Sequence, residues 1–337
     1  MTKILTYPEI NTTAWQELVD SSPYVTWFQT PEAYAFYASN PDEMTPFAYA
    51  VAEDSSSPYR LKALCVGYIT KEKSALKQFF TRRAIIIGGP LLAEDATDQN
   101  VEQLLCATIA ELQSQAIYVE TRNFNDYSKW KTIFEQCGFS YQPHLNFHVD
   151  THSIDVVEFN LGKSRKRDIK TSIRDGATIV NNPTIEQVRE YYTLLKQLYA
   201  TKIKTPLFSL SFFEKLYAMP SGKFILVELN GEIIGGTVCV ELAGKCLYEW
   251  FVCGRDGEWK SIFPSSLATY AGIRYAAEHG CSRFDMMGAG KPDEAYGVRD
   301  FKARFGGKQV EYGRFLCVRK PVLYWIGKVG VKIIKKR

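Results

Sequence analysis

The stretch Phe284-Asp285-Met286-Met287-Gly288-Ala289-Gly290-Lys291-Pro292, followed by Tyr296-Gly297-Val298-Arg299-Asp300-Phe301-Lys302-Ala303-Arg304-Phe305-Gly306-Gly307, organises the whole chain. Arg283–Met286 has the apolar content of a short buried strand. Arg299–Phe305 predicts a short helix ended by Gly306-Gly307, and Gln309–Val318 predicts a last strand. Upstream, Pro264–His279 reads as a helix with proline in its first turn and Gly280 just past its end. Lys245–Cys253 reads as a strand. Phe224–Leu229 and Glu232–Glu241 read as a hairpin about Asn230-Gly231, the pair that suits a type I′ turn. Two helices precede it: Ile185–Lys202, opened by a capping box of Thr184 and Gln187, and Ser211–Met219.

The first half follows the same plan. Pro31–Ser39 opens as a helix behind Thr30, with Glu32 in its first turn. Phe47–Val51, Leu61–Thr70 and Ala84–Gly88 read as strands. Val101–Gln115 reads as a helix running into the strand Ile117–Thr121. Asp126 caps a helix over Tyr127–Cys137 that stops at Gly138, and strands follow at Phe139–Gln142 and Leu145–Val149. The helix–glycine–strand junction thus recurs at Gly138 and Gly280. The expectation is an α+β chain of two similarly built domains, 1–155 and 156–318, with mixed, mostly antiparallel sheets flanked by helices and a shared cleft.

A length of 337 residues suits two domains, and 46% hydrophobic with 23% charged residues excludes disordered, collagen-like and disulfide-scaffold classes. From Arg319 to Arg337 there are seven basic residues and no acidic ones, so the net charge of +4 leaves −3 on the rest. A DNA-binding body would carry its excess throughout; here any polyanion contact is local. The 8 cysteines contain no CxxC pair and read as reduced, mostly buried thiols. His144, His148 and His152 stand four apart, but Pro143, Phe147 and Val149 favour an extended segment, so no metal site is expected. No apolar run approaches the roughly 20 residues that span a bilayer. The start, MTKILTYPEI, lacks a signal-peptide core, and the expectation is a cytoplasmic protein. Without GxSxG, HExxH, Walker A or GxGxxG, the corresponding hydrolases, NTPases and nicotinamide enzymes drop out.

The segment 284–307 strongly resembles the closing motif of the Fem-type (FemABX-like) aminoacyltransferases, peptidoglycan-bridge enzymes built from paired GNAT-like domains. There a strand ends in Phe-Asp-x-x-Gly, and Tyr-Gly-[VI]-x-x-Phe-Lys-x-x-Phe-Gly follows. Looser likenesses are Gly88-Gly89-Pro90, the run Arg165–Lys170, and Tyr248-Glu249-Trp250. The helical-hairpin arm of some members has no room here, so the chain resembles the compact form.

The resemblance implies N-acylation: an activated acyl ester attacked by an amine of a peptidoglycan precursor, nucleotide- or lipid-linked, or a similar acceptor. The donor it implies is aminoacyl-tRNA; because the GNAT fold is shared, acyl-CoA is the alternative, and no tightly bound cofactor is expected. Lys302 matches the motif lysine, and a fixed ammonium meets the need for oxyanion stabilisation. Its replacement is expected to spare the fold, since lysines are seldom core residues. Asp285 and Glu249 are candidates for the base. Residues 163–175 carry six positive and two negative charges and read as a solvated helix face or a phosphate clamp, Arg167 and Arg174 then meeting a diphosphate. Tyr296 and Trp250 would line a peptide channel, and Arg299, three residues after Tyr296 in the motif, is a further substrate-binding candidate. Gly254-Arg255-Asp256-Gly257 stands where GNAT proteins offer backbone N–H groups to the pyrophosphate of coenzyme A, although the usual spacing is absent. A different class of reading keeps the fold as a non-catalytic binding or accessory protein of envelope assembly.

In Pro321–Lys336, Val322, Ile326, Val329 and Ile333 share one helical face while Lys328, Lys332 and Lys335 repeat on another. Either the apolar stripe packs back on the first domain, or the helix docks on an anionic surface at the inner face of a membrane.

Overall fold

The computed structural model describes residues 2–53, 59–72 and 74–336 and divides into two units: Met1–Pro143 with Tyr312–Arg337, and His144–Glu311. In chain order the strands begin with β1 (Thr2–Thr6), β2 (Met44–Glu53), β3 (Arg60–Thr70), β4 (Arg83–Gly88), β5 (Leu91–Leu92), β6 (Tyr118–Asn123) and β7 (Ser140–Gln142). The second unit holds β8 (Leu145–Asp150), β9 (Thr178–Val180), β10 (Gly222–Leu229), β11 (Glu232–Leu242), β12 (Cys246–Gly254), β13 (Arg283–Asp285) and β14 (Lys308–Glu311). The chain then returns to the first unit with β15 (Arg314–Val318).

The helices of the first unit are α1 (Thr12–Ser21), α2 (Pro31–Ala38), α3 (Ala75–Thr81), α4 (Asp98–Leu112) and α5 (Lys131–Gln136). Those of the second are α6 (Ile154–Asn160), α7 (Lys163–Arg174), α8 (Ile185–Leu198), α9 (Leu210–Tyr217), α10 (Pro264–Glu278) and α11 (Gly297–Ala303). Last comes α12 (Pro321–Lys336), in the first unit.

Both sheets are antiparallel apart from one parallel pair each, β4 with β6 and β12 with β13. The first runs β1-β2-β3-β4-β6-β15-β7 and the second β14-β8-β13-β12-β11-β10-β9. The two α+β units are therefore built alike, as expected, but their closing strands are exchanged. β8, which follows β7 in sequence, lies between β14 and β13; β15, which follows β14, lies between β6 and β7. A strand belongs to the sheet whose ladder it completes, so the units divide at 143/144 and 311/312 instead of near 155 and 318. The one strand expected over Gln309–Val318 is two, in different sheets. Between them Gly313 takes φ +61°, where a Cβ would come within 2.4 Å of the Tyr141 ring, and the chain turns there.

The hairpin stands as read: Asn230 and Gly231 have φ of 52° and 84°, the left-handed pair a type I′ turn requires. Two helices are shorter than expected. α8 stops at Leu198 and passes into a π turn over Tyr199–Ile203, and Tyr127–Cys137 is a 3-10 turn (Ser128–Trp130) followed by α5. Trp15, Trp27, Trp130, Phe28 and Phe134 are wholly buried in the first unit. In the second, α10 packs on β11 and β12, its Leu267 and Ile273 in one core with Leu247 and Phe284.

Candidate active site

In the second sheet β12 runs on past the short strand β13. β12 and β13 pair over three positions, Cys246 with Arg283, Leu247 with Phe284 and Tyr248 with Asp285. Glu249 is the next residue along β12. Across from it the chain leaves Asp285 for the left-handed turn Met287-Gly288, with φ of 53° and 103°.

Asp285 holds that turn. Its Oδ1 accepts from Asn146 Nδ2 at 2.7 Å and Met287 N at 2.8 Å, and its Oδ2 lies 3.0 Å from His148 Nε2. Asn146 Oδ1 in turn accepts from Gly288 N at 2.8 Å. Burial pushes the Asp285 carboxyl up, but the hydrogen bond and charge of His148, then Arg283 and Asn146, outweigh it and hold it below the ordinary range. Oδ1 takes two hydrogen bonds while Oδ2 faces the His148 ring, and this setting favours the carboxylate.

Glu249 is the opposite case. Its Oε1 accepts from Thr269 Oγ1 of α10 at 2.9 Å and lies 3.5 Å from Thr237 Oγ1 of β11, while Oε2 is buried without a hydrogen-bond partner. Burial raises its pKa from 4.5 to about 7, against the opposing charge of Lys302 and the two threonine hydroxyls. A carboxyl so placed changes protonation near neutrality.

Lys302 reaches in from α11 and is 7% exposed, so it is a core residue and not the solvated lysine its type suggested. Its Nζ donates to the carbonyls of Met286 and of Gly288, the latter at 2.8 Å. Burial lowers its pKa, against the attraction of Glu249 and Asp285. Burial thus drives Glu249 and Lys302 toward their neutral forms while their mutual attraction favours the ion pair.

The remaining candidates are dispersed. Arg299 braces the loop after the turn, donating to the carbonyls of Ala289, at 3.1 Å, and Lys291. The Tyr296 ring covers Gly290, where a Cβ would stand 2.8 Å from it. Trp250 is the extra residue of a β-bulge, since Cys239 pairs with Glu249 and Val238 with Phe251, and its ring packs edge-on to Phe212 of α9. On α7, Arg167 is exposed and contacts Asp168, and Arg174 chelates Asp175 through Nε and Nη2 at 2.7 and 3.1 Å.

Sequence reasoning missed Arg165, which is buried. Its Nη1 donates to Asp168 at 3.1 Å and Ser266 at 2.8 Å, and its guanidinium lies over the Phe301 ring, tying α7 to α10 and α11. The basic run therefore has a structural inner side and a solvated outer one. His148 and Asn146 were missed too, because no spacing links them to an aspartate that far along the chain. In the 254–257 loop, Asp256 Oδ1 accepts from Ser265 N at 3.1 Å, so a carboxylate already caps the start of α10. Among the described residues no group of three or more His, Cys, Asp or Glu is placed to hold a metal ion.

Residues 163–302 match the acetyltransferase (GNAT) domain family. The matched residues lie in the second unit and include Glu249, Asp285 and Lys302. FemX is similar to the chain in structure, with a TM-score of 0.71 at 13% identity, covering 96% of this chain and 99% of FemX. A tandem GNAT protein from the clavulanic acid biosynthesis pathway is similar at TM-score 0.58 and 8% identity, covering 95% and 99%. L-PGS from Bacillus licheniformis is similar at 0.56 and 15%, covering 97% of each chain. At these identities the likeness is one of fold: the chain is a tandem of two GNAT-like units. No curated protein matches the chain in sequence.

Proposed function

We propose that the chain is an N-acyltransferase in which Glu249 is the general base. The observation that carries this reading is a buried carboxyl with one unpartnered oxygen, next to a buried ammonium, where β12 parts from β13. An amine attacks an acyl carbonyl only once it has lost its extra proton, and a base titrating near neutrality removes that proton efficiently. Glu249 Oε2 takes the ammonium proton, and the amine lone pair forms the new C–N bond. As the acyl–oxygen or acyl–sulfur bond breaks, the leaving alcohol or thiol takes the second proton shed by the amine nitrogen. Lys302 has three N–H donors, two of them on Met286 and Gly288, and the third serves the oxyanion. Asp285, His148 and Asn146 position the turn that the lysine grips.

The Fem-type motif at 284–307 supports an acceptor amine on a peptidoglycan precursor, nucleotide- or lipid-linked. An aminoacyl ester is the donor we favour, because the Asp256 carboxylate at the start of α10 would repel the pyrophosphate of coenzyme A. Acyl-CoA is the second reading, supported by the acetyltransferase domain match. The test offers aminoacyl-tRNA and acetyl-CoA in turn, with a nucleotide-linked muropeptide as acceptor and product mass as readout. Transfer from acetyl-CoA alone would overturn the donor assignment. Failure of both donors with any amine, or unchanged transfer by Glu249→Gln, would overturn the mechanism.

A further inference from the structure

Among the described side chains, α12 meets the first unit along one side. Arg319 N and Lys320 N both donate to Ile117 O, at 2.9 and 3.0 Å, and Lys320 Nζ donates to Ser114 O at 3.1 Å. The Tyr324 ring meets Tyr118 edge-on at 5.3 Å, and Gly327 faces the Phe80 carbonyl of α3. Residues 324 and 327 therefore mark the packed side.

The apolar stripe faces the other way. Val322 is 72% and Trp325 66% exposed, and Ile326 and Val329 are also exposed. At helical spacing these four fall within roughly 100° of arc, away from the α3 contact. Phe79 of α3 is exposed as well, with Arg82 over its ring. From Val322 to Val329 the stripe thus does not pack back on the first unit, although the helix does; the Ile333 side chain lies outside those described.

What this face fits is set by its charge. The segment 319–337 carries Arg319, Lys320, Lys328, Lys332, Lys335, Lys336 and Arg337 and no acid. In the sequence Lys328, Lys332 and Lys335 recur four and three apart, a helical spacing that runs alongside that of the apolar residues. An apolar ridge with a tryptophan, in a segment whose charges are all cationic, is the arrangement that lies in the interface of an anionic bilayer. Among the described residues no helix is long and apolar enough to cross a membrane. We propose that the outer face of α12 docks this protein, in the plane of the interface, on anionic phospholipid. The inference does not depend on the acyl-transfer reading.

The experiment is co-sedimentation of the full chain with phosphatidylglycerol-containing and pure phosphatidylcholine vesicles, at low and high salt. Wild type should pellet with the anionic vesicles at low salt and be released by high salt. The double variant Val322→Glu, Trp325→Glu changes only side chains directed away from α3 and should keep the wild-type melting temperature. It should lose about tenfold or more of the vesicle binding, the scale expected when two large apolar groups no longer insert. Wild type remaining in the supernatant, or pelleting equally with both vesicle types, overturns the proposal. So does unchanged binding by the double variant. A wild type that dimerises without lipid while the variant stays monomeric also overturns it, since a second copy would then cover the stripe.

Discussion

Replacing Glu249 by glutamine separates the base from its surroundings with minimal change of shape. Burial raises the Glu249 pKa from 4.5 to about 7, so between those values the folded chain holds a proton that the unfolded chain has released. Unfolding free energy must then fall as pH rises through that window, by on the order of 3 kcal/mol in total, because each pH unit of displacement is about 1.4 kcal/mol. The stability is fully present below pH 4.5 and lost by the time pH has passed 7. A glutamine side chain cannot ionise, so Glu249→Gln should lack this slope. The new amide carbonyl can still accept from Thr269, but its NH₂ would occupy the site of the unpartnered Oε2, at a cost of about 1–3 kcal/mol. The variant should accordingly be less stable than wild type at about pH 5 and no less stable at about pH 8. The assay is urea unfolding at several pH values, alongside the pH dependence of kcat/KM. Turnover should fall about 10²–10⁴-fold with loss of the acidic limb near pH 7. Equal pH slopes of stability in the two proteins would refute the buried, raised carboxyl, and with it the base.

Lys302→Ala should cost about 10²–10³ in turnover and, contrary to what its residue type suggests, about 3 kcal/mol of stability. It strips two carbonyls and a buried carboxyl of their cation, as differential scanning calorimetry would register. The same change should move the acidic limb of the pH–rate profile to higher pH, because the charge opposing burial at Glu249 is gone. Arg165→Ala should destabilise by about 3–5 kcal/mol by leaving Asp168 buried without its inner partner, whereas Arg167→Ala should change stability by less than about 1 kcal/mol. If Arg167 grips a diphosphate, that second variant should raise KM for a nucleotide-linked acceptor with kcat unchanged; an unaltered KM returns it to solvent. Deleting the segment after Lys320 should lower the melting temperature, since Tyr324 and Gly327 pack on the first unit, and should abolish vesicle binding.

The two-fold repetition of helices, meander and glycine-ended helix was legible because each signal is local: Asn230-Gly231 forms its turn from its own dihedrals, and Gly280 ends α10 from one position. The motif at 284–307 likewise brought Asp285 and Lys302 to one site within a single short segment. Strand exchange was not legible. Nothing in Leu145–Asp150 or Arg314–Val318 says which sheet it will join, because pairing partners are far away in sequence. Inside the Arg165–Arg167 run the inward residue was hidden for another reason. The buried positions Arg165, Asp168, Ile169 and Ser172 keep helical spacing, but only one of them is apolar, so hydropathy reads the whole helix as solvated. Glu249 was visible as a candidate, and its separation from Asp285 was not: both are buried carboxylates on neighbouring strands, told apart by what surrounds them, Asn146, the Met287 amide and His148 at Asp285 against two threonine hydroxyls at Glu249.

The exchange of β8 and β15 also sets an order of events during synthesis. The residues that build the second unit, 144–311, are contiguous, so that unit can complete its sheet as soon as they have left the ribosome. The first unit cannot, although its earlier segment emerges sooner, because the strand that separates β6 from β7 is made only after the whole second unit. Until then the facing edges of β6 and β7 remain open, and open edges are where newly made chains pair with the wrong neighbour. The unit that is begun first is finished last, which makes it the one most in need of protection while the rest is being made.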